Sequence, residues 1–575
     1  MAALEGMGLA QLIALKHCRI KVCDVMSTSS VSLEQLSINT VRTLSMDGVQ
    51  AANSGHPGTP MALAPVTYSL WNRLLRYDPA TPNWPGRDRF VLSCGHASML
   101  LYSTLHLAGV KKADGASELS ITLDNIRNFR QLDSPCAGHP EFGEAAGIET
   151  TTGPLGQGIG NSVGMAIAAK WFAATYDRAG FELFDYDTFA LCSDGDIMEG
   201  IGCEAASLAG HLKLSNLCWI YDDNSITIEG DTDLSFSENA ATRFEGLGWR
   251  TVVVEDANDL DEIGRAFQTF AATDDRPTLI ILRSIIGFGS PNKAGTHGAH
   301  GAPLGDEEIR LTKSAYGWPA DAKFHVPSEV VEDFGAGIGT RGQELREQWQ
   351  ADFAKYEQQF PAEAGQLKNI WNRELPTGWD SLMECFPADE KGMASRVSSG
   401  KSLNQISANL PWLIGGSADL APSNNTRLLG DADGDFGPKN YAGRNMHFGI
   451  REHAMAAACN GMALSGLRSF GGTFFVFTDY MRPSMRLSAI MNLGVIYVLT
   501  HDSIGLGEDG PTHQPVEHLA ACRGIPNLLV MRPADANEVS QAYRVAMQIG
   551  NRPVAMVLTR QNLPTLDRQV VNSPD

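Results

Sequence analysis

Two apolar runs, each ending in acidic residues, decide the fold: Thr188-Phe-Ala-Leu-Cys-Ser-Asp-Gly195 and Leu217-Cys-Trp-Ile-Tyr-Asp-Asp-Asn224. A short continuous apolar run is typical of a strand covered on both faces, as in a parallel sheet. The interval between the runs is long enough for a crossover helix. Because ligands bind at the carboxyl ends of parallel strands, we expect Asp194 and Asn224 to lie side by side at a binding edge.

Strand patterns recur on both sides of a helical stretch. Between residues 306 and 376, charged and aromatic residues increase and strand patterns disappear, which predicts a helical connector. The fold class is therefore predicted to be α/β, with two doubly wound parallel-sheet domains joined by that connector. The other predicted strands are 250–254 and 277–282 before the connector, and 412–415, 494–500, 527–531 and 554–558 after it.

The composition is that of a globular chain. Of 575 residues, 43% are hydrophobic and 19% charged, and the formal net charge is -21. Such acidity disfavours nucleic acid and anionic membranes as partners, because both bind clustered Lys and Arg. No apolar run approaches the roughly 20 residues that cross a bilayer. The ten cysteines form no C-x-x-C pair. Residues 1–30 resemble an extension without signal-peptide features. We therefore expect a cytoplasmic protein.

Oxygen-bearing groups at the ends of the two opening strands predict a metal site. Asp194 offers a carboxylate, Asn224 an amide oxygen and Ile226 a backbone carbonyl. Ligands of this kind suit Mg²⁺ or Ca²⁺, with phosphate oxygens and water completing the shell. Asp-Gly and Asp-Asn are also common turn residues, so two plain strand-end turns are the alternative.

A glycine-rich loop, Thr150-Thr-Thr-Gly-Pro-Leu-Gly-Gln-Gly-Ile-Gly160, leads into a predicted helix over 161–174. Glycines allow the backbone to approach an anion, and a helix N-terminus offers it free N–H groups. The loop lacks the Gly-Lys-Ser/Thr of a P-loop, and a plain helix entry is the alternative. A second pattern, Gly505-Leu-Gly-Glu-Asp-Gly510, fits a dinucleotide fingerprint, but Pro511 follows at once and leaves a nicotinamide site as a weak hypothesis.

Longer motifs point to one enzyme family. They are Ser54–Gly58, Thr152–Gly158 and Gly289–His297 in the first half, and Gly415–Asn424, Gly449–Met455 and Thr500–Pro515 in the second. Through these motifs the chain resembles the transketolases from about residue 33 to residue 564. The resemblance implies a diphosphate-binding domain over 31–305 and a pyrimidine-binding domain over 377–575. The family's third, C-terminal domain is expected to be absent.

The resemblance implies a cofactor, thiamine diphosphate, held through Mg²⁺, with Ca²⁺ or Mn²⁺ as alternatives. Asp194, Asn224 and Ile226 match the family's metal ligands, and Glu452 matches the acid that engages the aminopyrimidine. Such an acid needs a raised pKa, which burial supplies. The other residues that match cofactor-binding positions are His96, Gly153, Pro154, Leu155, Gly195, Glu199, His297, Phe474, Phe477 and Tyr480.

The implied reaction is the reversible transfer of a two-carbon ketol unit from a ketose phosphate to an aldose phosphate, through a dihydroxyethyl adduct on the cofactor, as in the pentose phosphate pathway or the Calvin cycle. Glu452, His56, His297 and His513 match the catalytic residues. Neutral imidazoles pass protons near pH 7 and Arg binds phosphate bidentately. The residues that match substrate-binding positions are His56, His139, His297, Arg396, Ser423, His501, Asp509, His513 and Arg560.

A homodimer is also implied, because in the family each site lies between the first domain of one subunit and the second domain of its partner. Two alternatives stay open. One is an inactive homologue that binds cofactor or a partner without turnover, and the other is a dihydroxyacetone synthase, which uses formaldehyde as the acceptor. A zinc pair of His297 with His300 is weak, because no further ligands accompany this spacing.

Overall fold

A computed structural model of the chain describes residues 32–431 and 433–568. The extension expected over 1–30 and the last seven positions, 569–575, lie outside the described residues.

The helices and strands, in chain order, are α1 Leu33–Ala52, α2 Gly58–Tyr68, β1 Arg89–Leu92, α3 Ser98–Leu107, α4 Leu123–Arg127, α5 Gln157–Tyr176, β2 Thr188–Ser193, α6 Asp194–Met198, α7 Gly200–His211, β3 Leu217–Asp223, α8 Ala240–Gly246, β4 Arg250–Val254, α9 Leu260–Ala272, β5 Thr278–Arg283, α10 Asp306–Ala315, α11 Ser328–Phe334, α12 Thr340–Gln359, α13 Pro361–Asn372, β6 Asp389–Ala394, α14 Ser395–Ser407, β7 Leu413–Ser417, α15 Ala421–Asn424, β8 Asn445–His447, α16 Glu452–Leu464, β9 Arg468–Phe474, α17 Thr478–Ile490, β10 Ile496–Thr500, α18 His518–Arg523, β11 Leu529–Met531, α19 Ala536–Ile549, β12 Val554–Leu558 and β13 Asn562–Thr565.

The two opening runs are strands, and they are neighbours. The first sheet has the order β1-β2-β3-β5-β4, and β5 pairs in parallel with both β3 and β4. Every residue of β2 is buried, as is nearly all of β3, because helices cover both faces of such a sheet. The prediction that Asp194 and Asn224 follow adjacent strands is confirmed.

The second sheet is parallel throughout. Its order is β11-β12-β10-β9-β7-β8, and each neighbouring pair runs in parallel. A separate antiparallel ribbon joins β6 to β13. The stretch 306–376 contains α10 to α13 and no strand among its residues. The two sheets confirm the predicted α/β fold class.

The chain folds into two compact units. Among the described residues, the first contains 32–148, 191–195 and 218–349, and the second contains 149–190, 196–217, 350–431 and 433–568. Within the second unit, α5 crosses α16 at glycines: a Cβ on Gly164 would lie 2.0 Å from the carbonyl oxygen of Ala458. None of the described helices combines the length and apolarity that a bilayer-spanning segment needs.

Candidate active site

Acidic and amide side chains meet where β2 and β3 end. Asp194, directly after β2, is only 3% exposed. Tyr221, within β3, donates its hydroxyl to Asp194 Oδ1 and so ties the two strand ends together. Asn224 Oδ1 accepts the Ile226 N–H at 2.9 Å, and the Asn224 amide donates to Asp222 Oδ2 at 2.6 Å. The three predicted metal ligands therefore belong to two neighbouring strand ends.

This strand edge concentrates negative charge. Burial raises the pKa of Asp194 to about 7, and the carboxylates of Asp222 and Asp223 raise it further. Burial also raises the pKa of Asp222 to about 6. The donors in this group are hard oxygens, and Asn224 Oδ1 keeps a second lone pair beyond its bond to Ile226. Such a set fits Mg²⁺ or Ca²⁺ better than a soft transition metal.

The glycine-rich loop before α5 is shaped for a close approach. Gly153 and Gly156 have φ of 131° and 79°, and a Cβ on Gly156 would lie 2.4 Å from Ile201 Cγ2. The Gly156 N–H donates to Asp196 Oδ1 at 2.7 Å. The buried hydroxyl of Thr152 has no protein partner among the described residues. An unused hydroxyl on a glycine loop at the start of a long helix fits a diphosphate.

Four histidines from distant parts of the first unit form a cluster. Measured between ring centroids, His56 lies 5.1 Å from His96, 6.4 Å from His139 and 5.7 Å from His300. His96 stacks on His300 at 5.3 Å. Burial lowers the pKa of all four imidazoles, that of His56 to about 4. The cluster is therefore neutral near pH 7 and can exchange hydrogen bonds with hydroxyl groups.

Glu452 is a buried acid at the first position of α16. It is 6% exposed, and its Oε1 accepts the Thr473 hydroxyl at 3.3 Å. Burial raises the pKa of this carboxyl. Its sequence neighbour Arg451 donates to the Phe448 carbonyl and to Ser207 Oγ, both at 2.9 Å. Arg451 is therefore held by these bonds and not by an ion pair with Glu452, which is the contact expected if Glu452 were an ordinary surface glutamate of a helix.

Aromatic side chains gather after β9 and extend to the loop after β10. The ring of Phe474 lies 5.8 Å from Phe477 and 4.5 Å from His501. Phe477 in turn lies 5.8 Å from Tyr480 and 5.5 Å from His513. Tyr480 is the exposed member of the group, at 63%. The structure thus brings three predicted cofactor-binding rings to two predicted substrate-binding histidines.

Cationic groups surround His501 in the second unit. Burial lowers the pKa of His501 to about 4, with the positive charge of Arg396 as the next cause. Arg396 Nη1 donates to the Ser423 carbonyl at 2.8 Å, while its buried Nε has no partner among the described residues. Arg560 forms an ion pair with Glu508, and Asp509 lies 4.0 Å from His501. Unused guanidinium donors beside a buried imidazole suit a phosphate group.

Residues 33–376 match the family described as "Transketolase, thiamine diphosphate binding domain", and residues 391–565 match "Transketolase, pyrimidine binding domain". The chain belongs to the transketolase family. A transketolase from Geobacillus stearothermophilus is 53% identical over 536 residues, which are 93% of this chain and 78% of that protein. One from Bacillus subtilis is 52% identical over 540 residues, 93% of this chain and 79% of that protein.

A solved transketolase structure from Pichia stipitis, in complex with sedoheptulose 7-phosphate, matches with a TM-score of 0.89 at 43% identity. The match covers 93% of this chain and 78% of that one. Similarity of this extent establishes the activity as well as the fold: the chain is a thiamine diphosphate-dependent transketolase. The sequence-based expectations of family, fold class and enzyme activity are confirmed.

The sequence does not predict where three side chains of this transketolase lie: those of His297, His300 and Glu204. His297, predicted to be catalytic, is exposed at the start of a short turn, and the ring contacts of the described residues do not include it. His300, which the sequence suggested only as a weak zinc partner, lies inside the histidine cluster. Glu204, which no sequence motif indicates, accepts the Ala454 N–H at 2.9 Å, and burial, together with the charge of Glu452, raises its pKa. The contacts of His300 and the bond between Glu204 and Ala454 join segments far apart in the sequence, so no local pattern predicts them.

Proposed function

We propose that this transketolase holds the diphosphate of its cofactor through Mg²⁺ bound by Asp194, Asn224 and the Ile226 carbonyl. The oxygen-only donor set at two adjacent strand ends carries this proposal. Thiamine diphosphate, when bound, supplies a nucleophilic carbon that the side chains of a protein cannot provide. Gly153, Pro154 and Leu155 of the glycine-rich loop are proposed to hold it, together with Gly195 in α6, Glu199 after α6 and His96 before α3.

Glu452 is proposed to hold a proton for the aminopyrimidine ring. Its burial and raised pKa favour the neutral carboxylic acid, which can donate a hydrogen bond to a ring nitrogen. Phe474, Phe477 and Tyr480, which lie next to one another, provide flat apolar surfaces for that ring. Rings of this kind stack on a heteroaromatic group and exclude water from it.

Substrate handling is proposed to divide between two groups of residues. His56 and His139, with His297 as a third candidate, exchange protons and hydrogen bonds with sugar oxygens. His513 and Asp509 bind sugar hydroxyls. Arg396, Ser423, His501 and Arg560 bind the phosphate, for which the unused Arg396 Nε is the supporting observation. The substrates would be a ketose phosphate and an aldose phosphate, as in the pentose phosphate pathway or the Calvin cycle.

The assembly and organisation are part of the same proposal. Two copies would pair so that the cofactor half of one copy meets the pyrimidine half of the other. The diphosphate-binding domain would span 31–305, the connector 306–376 and the pyrimidine-binding domain 377–575. The acidic composition is compatible with a cytoplasmic enzyme.

Metal-dependent ketol transfer by the purified chain tests this proposal. The protein is stripped with a chelator and assayed with thiamine diphosphate, a ketose phosphate and ribose 5-phosphate, with Mg²⁺, Ca²⁺ or Mn²⁺ restored in turn. We expect Asp194→Ala to lose cofactor affinity and turnover, and the exposed control Asp233→Asn to match the parent. Cofactor binding without turnover in the parent would contradict the proposal. Faster turnover with formaldehyde than with ribose 5-phosphate would favour a dihydroxyacetone synthase.

A further inference from the structure

Arg130 lies beside the loop that carries His56. It follows α4 with φ of 61°, in the left-handed region, and its N–H donates to the Cys136 carbonyl at 2.9 Å. This backbone bend returns the side chain toward the end of α1. Its Nη1 donates to Ser54 Oγ at 2.8 Å, two positions before His56.

The same guanidinium lies against a second loop, the one that carries His139. A Cβ on Gly138 would lie 3.2 Å from Arg130 Nε, so the guanidinium packs closely against this glycine. Gly138 immediately precedes His139. Arg130 thus touches the residue before one histidine and the serine two positions before the other.

We propose that Arg130 is a positioning residue for the transketolase reaction: its guanidinium joins the His56 loop to the His139 loop and fixes the 6.4 Å separation of the two rings. The inference rests on the substrate-handling roles proposed above for these two histidines. An arginine suits the task because its planar fork can hold one loop by a hydrogen bond while it packs on another.

The fold does not require this guanidinium to hold the second loop. Tyr102 donates its hydroxyl to the Ala137 carbonyl at 2.9 Å and to the His139 carbonyl at 3.3 Å. Ser98 donates to the Gly138 carbonyl at 3.0 Å. The loop is therefore anchored from α3, whereas Arg130 adds a cation whose buried Nε has no partner among the described residues.

That cation faces both imidazoles. After burial, Arg130 is the cause that lowers the pKa of His139, and it also lowers the pKa of His56, where His300 is the larger contributor. His96 and His300 face His56 from the other side of the cluster. A fixed positive charge beside both rings keeps them neutral and able to accept a proton from a sugar hydroxyl.

Kinetics of matched variants test the inference. Arg130→Met removes the charge and the hydrogen bond, and Arg130→Lys keeps the charge alone. We expect kcat/KM for the acceptor to fall roughly 10- to 100-fold in both, since small misplacements of reacting groups cost this much. In Arg130→Met the acid limb of the pH profile moves to higher pH, because both imidazoles lose a repelling cation. In Arg130→Lys it stays in place.

Cofactor affinity and melting temperature complete the comparison. Both are expected to stay near the parent values in the Arg130 variants, and the exposed control Arg127→Met is expected to match the parent throughout. Parent-like kcat/KM in Arg130→Met, or a loss that follows a lower melting temperature with no shift of the pH profile, would overturn the inference. Should Arg130→Met fail to fold, Ser54→Ala removes the same hydrogen bond with little change in volume and must reduce kcat/KM.

The histidines themselves separate this inference from the proposed function. If His56→Ala and His139→Ala retain full turnover, the proposed substrate site is wrong and the role of Arg130 fails with it. If those two variants lose turnover and Arg130→Met does not, the site stands and only the positioning role is rejected.

Discussion

At the scale of single residues, Glu452 has opposite effects on stability and on activity. Its buried carboxyl has a raised pKa, so the folded chain binds this proton more tightly than the unfolded chain does. Ionisation of the carboxyl therefore lowers the free energy of unfolding. The loss begins as pH rises above the unfolded pKa of about 4.3, increases until pH passes the folded pKa, and is constant at higher pH. Glu452→Gln cannot ionise, so the cofactor-free variant is expected to melt above the parent at neutral pH, with the difference vanishing as pH falls toward 4.

Turnover should change in the other direction. Glutamine cannot share a proton with the aminopyrimidine, and loss of a positioned acid costs about 10²- to 10⁴-fold in rate. Calorimetry across pH and steady-state assays measure the two effects on one preparation. The exposed control Glu390→Gln should leave both unchanged. A Glu452→Gln variant that is less stable than the parent at neutral pH would show that the carboxylate is charged and paired in the folded chain.

At the scale of elements, the crossing of α5 with α16 connects packing to the site. A Cβ on Gly461 would lie 2.0 Å from the Asn161 carbonyl oxygen, which mirrors the contact of Gly164 with Ala458. The glycine-rich loop leads into α5, and Glu452 begins α16. The crossing therefore holds together two parts of the second unit that are proposed to bind cofactor, each in a different site of the proposed homodimer.

Gly164→Ala tests this coupling. Alanine normally stabilises a helix, but here it forces the backbones apart, and we expect a loss of about 1–3 kcal/mol in the free energy of unfolding from overpacking, with weaker cofactor binding. Gly365→Ala in α13 is the matched control, because a Cβ there meets nothing within 4 Å, and it should gain about 1 kcal/mol from helix propensity. Urea titration and cofactor titration give the two readouts. Equal effects from the two substitutions would mean that the crossing tolerates side chains.

Sequence patterns predicted the strands of the two parallel sheets except β1, β8 and β9. β2, β3, β5, β10 and β12 are continuous apolar runs and were predicted. β9 was not, because Gly471 and Gly472 interrupt it and glycine is depleted in strands. The structure explains these glycines: a Cβ on Gly471 would meet Cys459 Sγ and Met455 of α16 at 3.3 Å. Close approach of a helix to a sheet is a tertiary constraint, and no local pattern contains it.

The same limit applies to the site. Asp194 and Asn224 were predicted because strand ends in a parallel sheet meet by geometry. Glu452 and the residues proposed to bind phosphate are indicated by family motifs, which give residue identities without distances. His300 joined the cluster through contacts with His56 and His96, segments far away in sequence. The partial burial of His300, and the exposure of His297 three residues earlier, depend on how the short turn between them packs.

At the scale of the whole molecule, the proposed homodimer makes a prediction about mixed subunits. Asp194→Ala disables the first half of the chain and Glu452→Gln the second, so each homodimer should be nearly inactive. Co-expression with two different affinity tags allows the heterodimer to be purified alone. If each site combines the first half of one copy with the second half of the other, one site in the heterodimer has both substitutions and the other has neither. A closed two-fold dimer with one intact site should show about half of the parent activity. If each site were built within one chain, both sites would keep one substitution, and the heterodimer would be as inactive as the two homodimers.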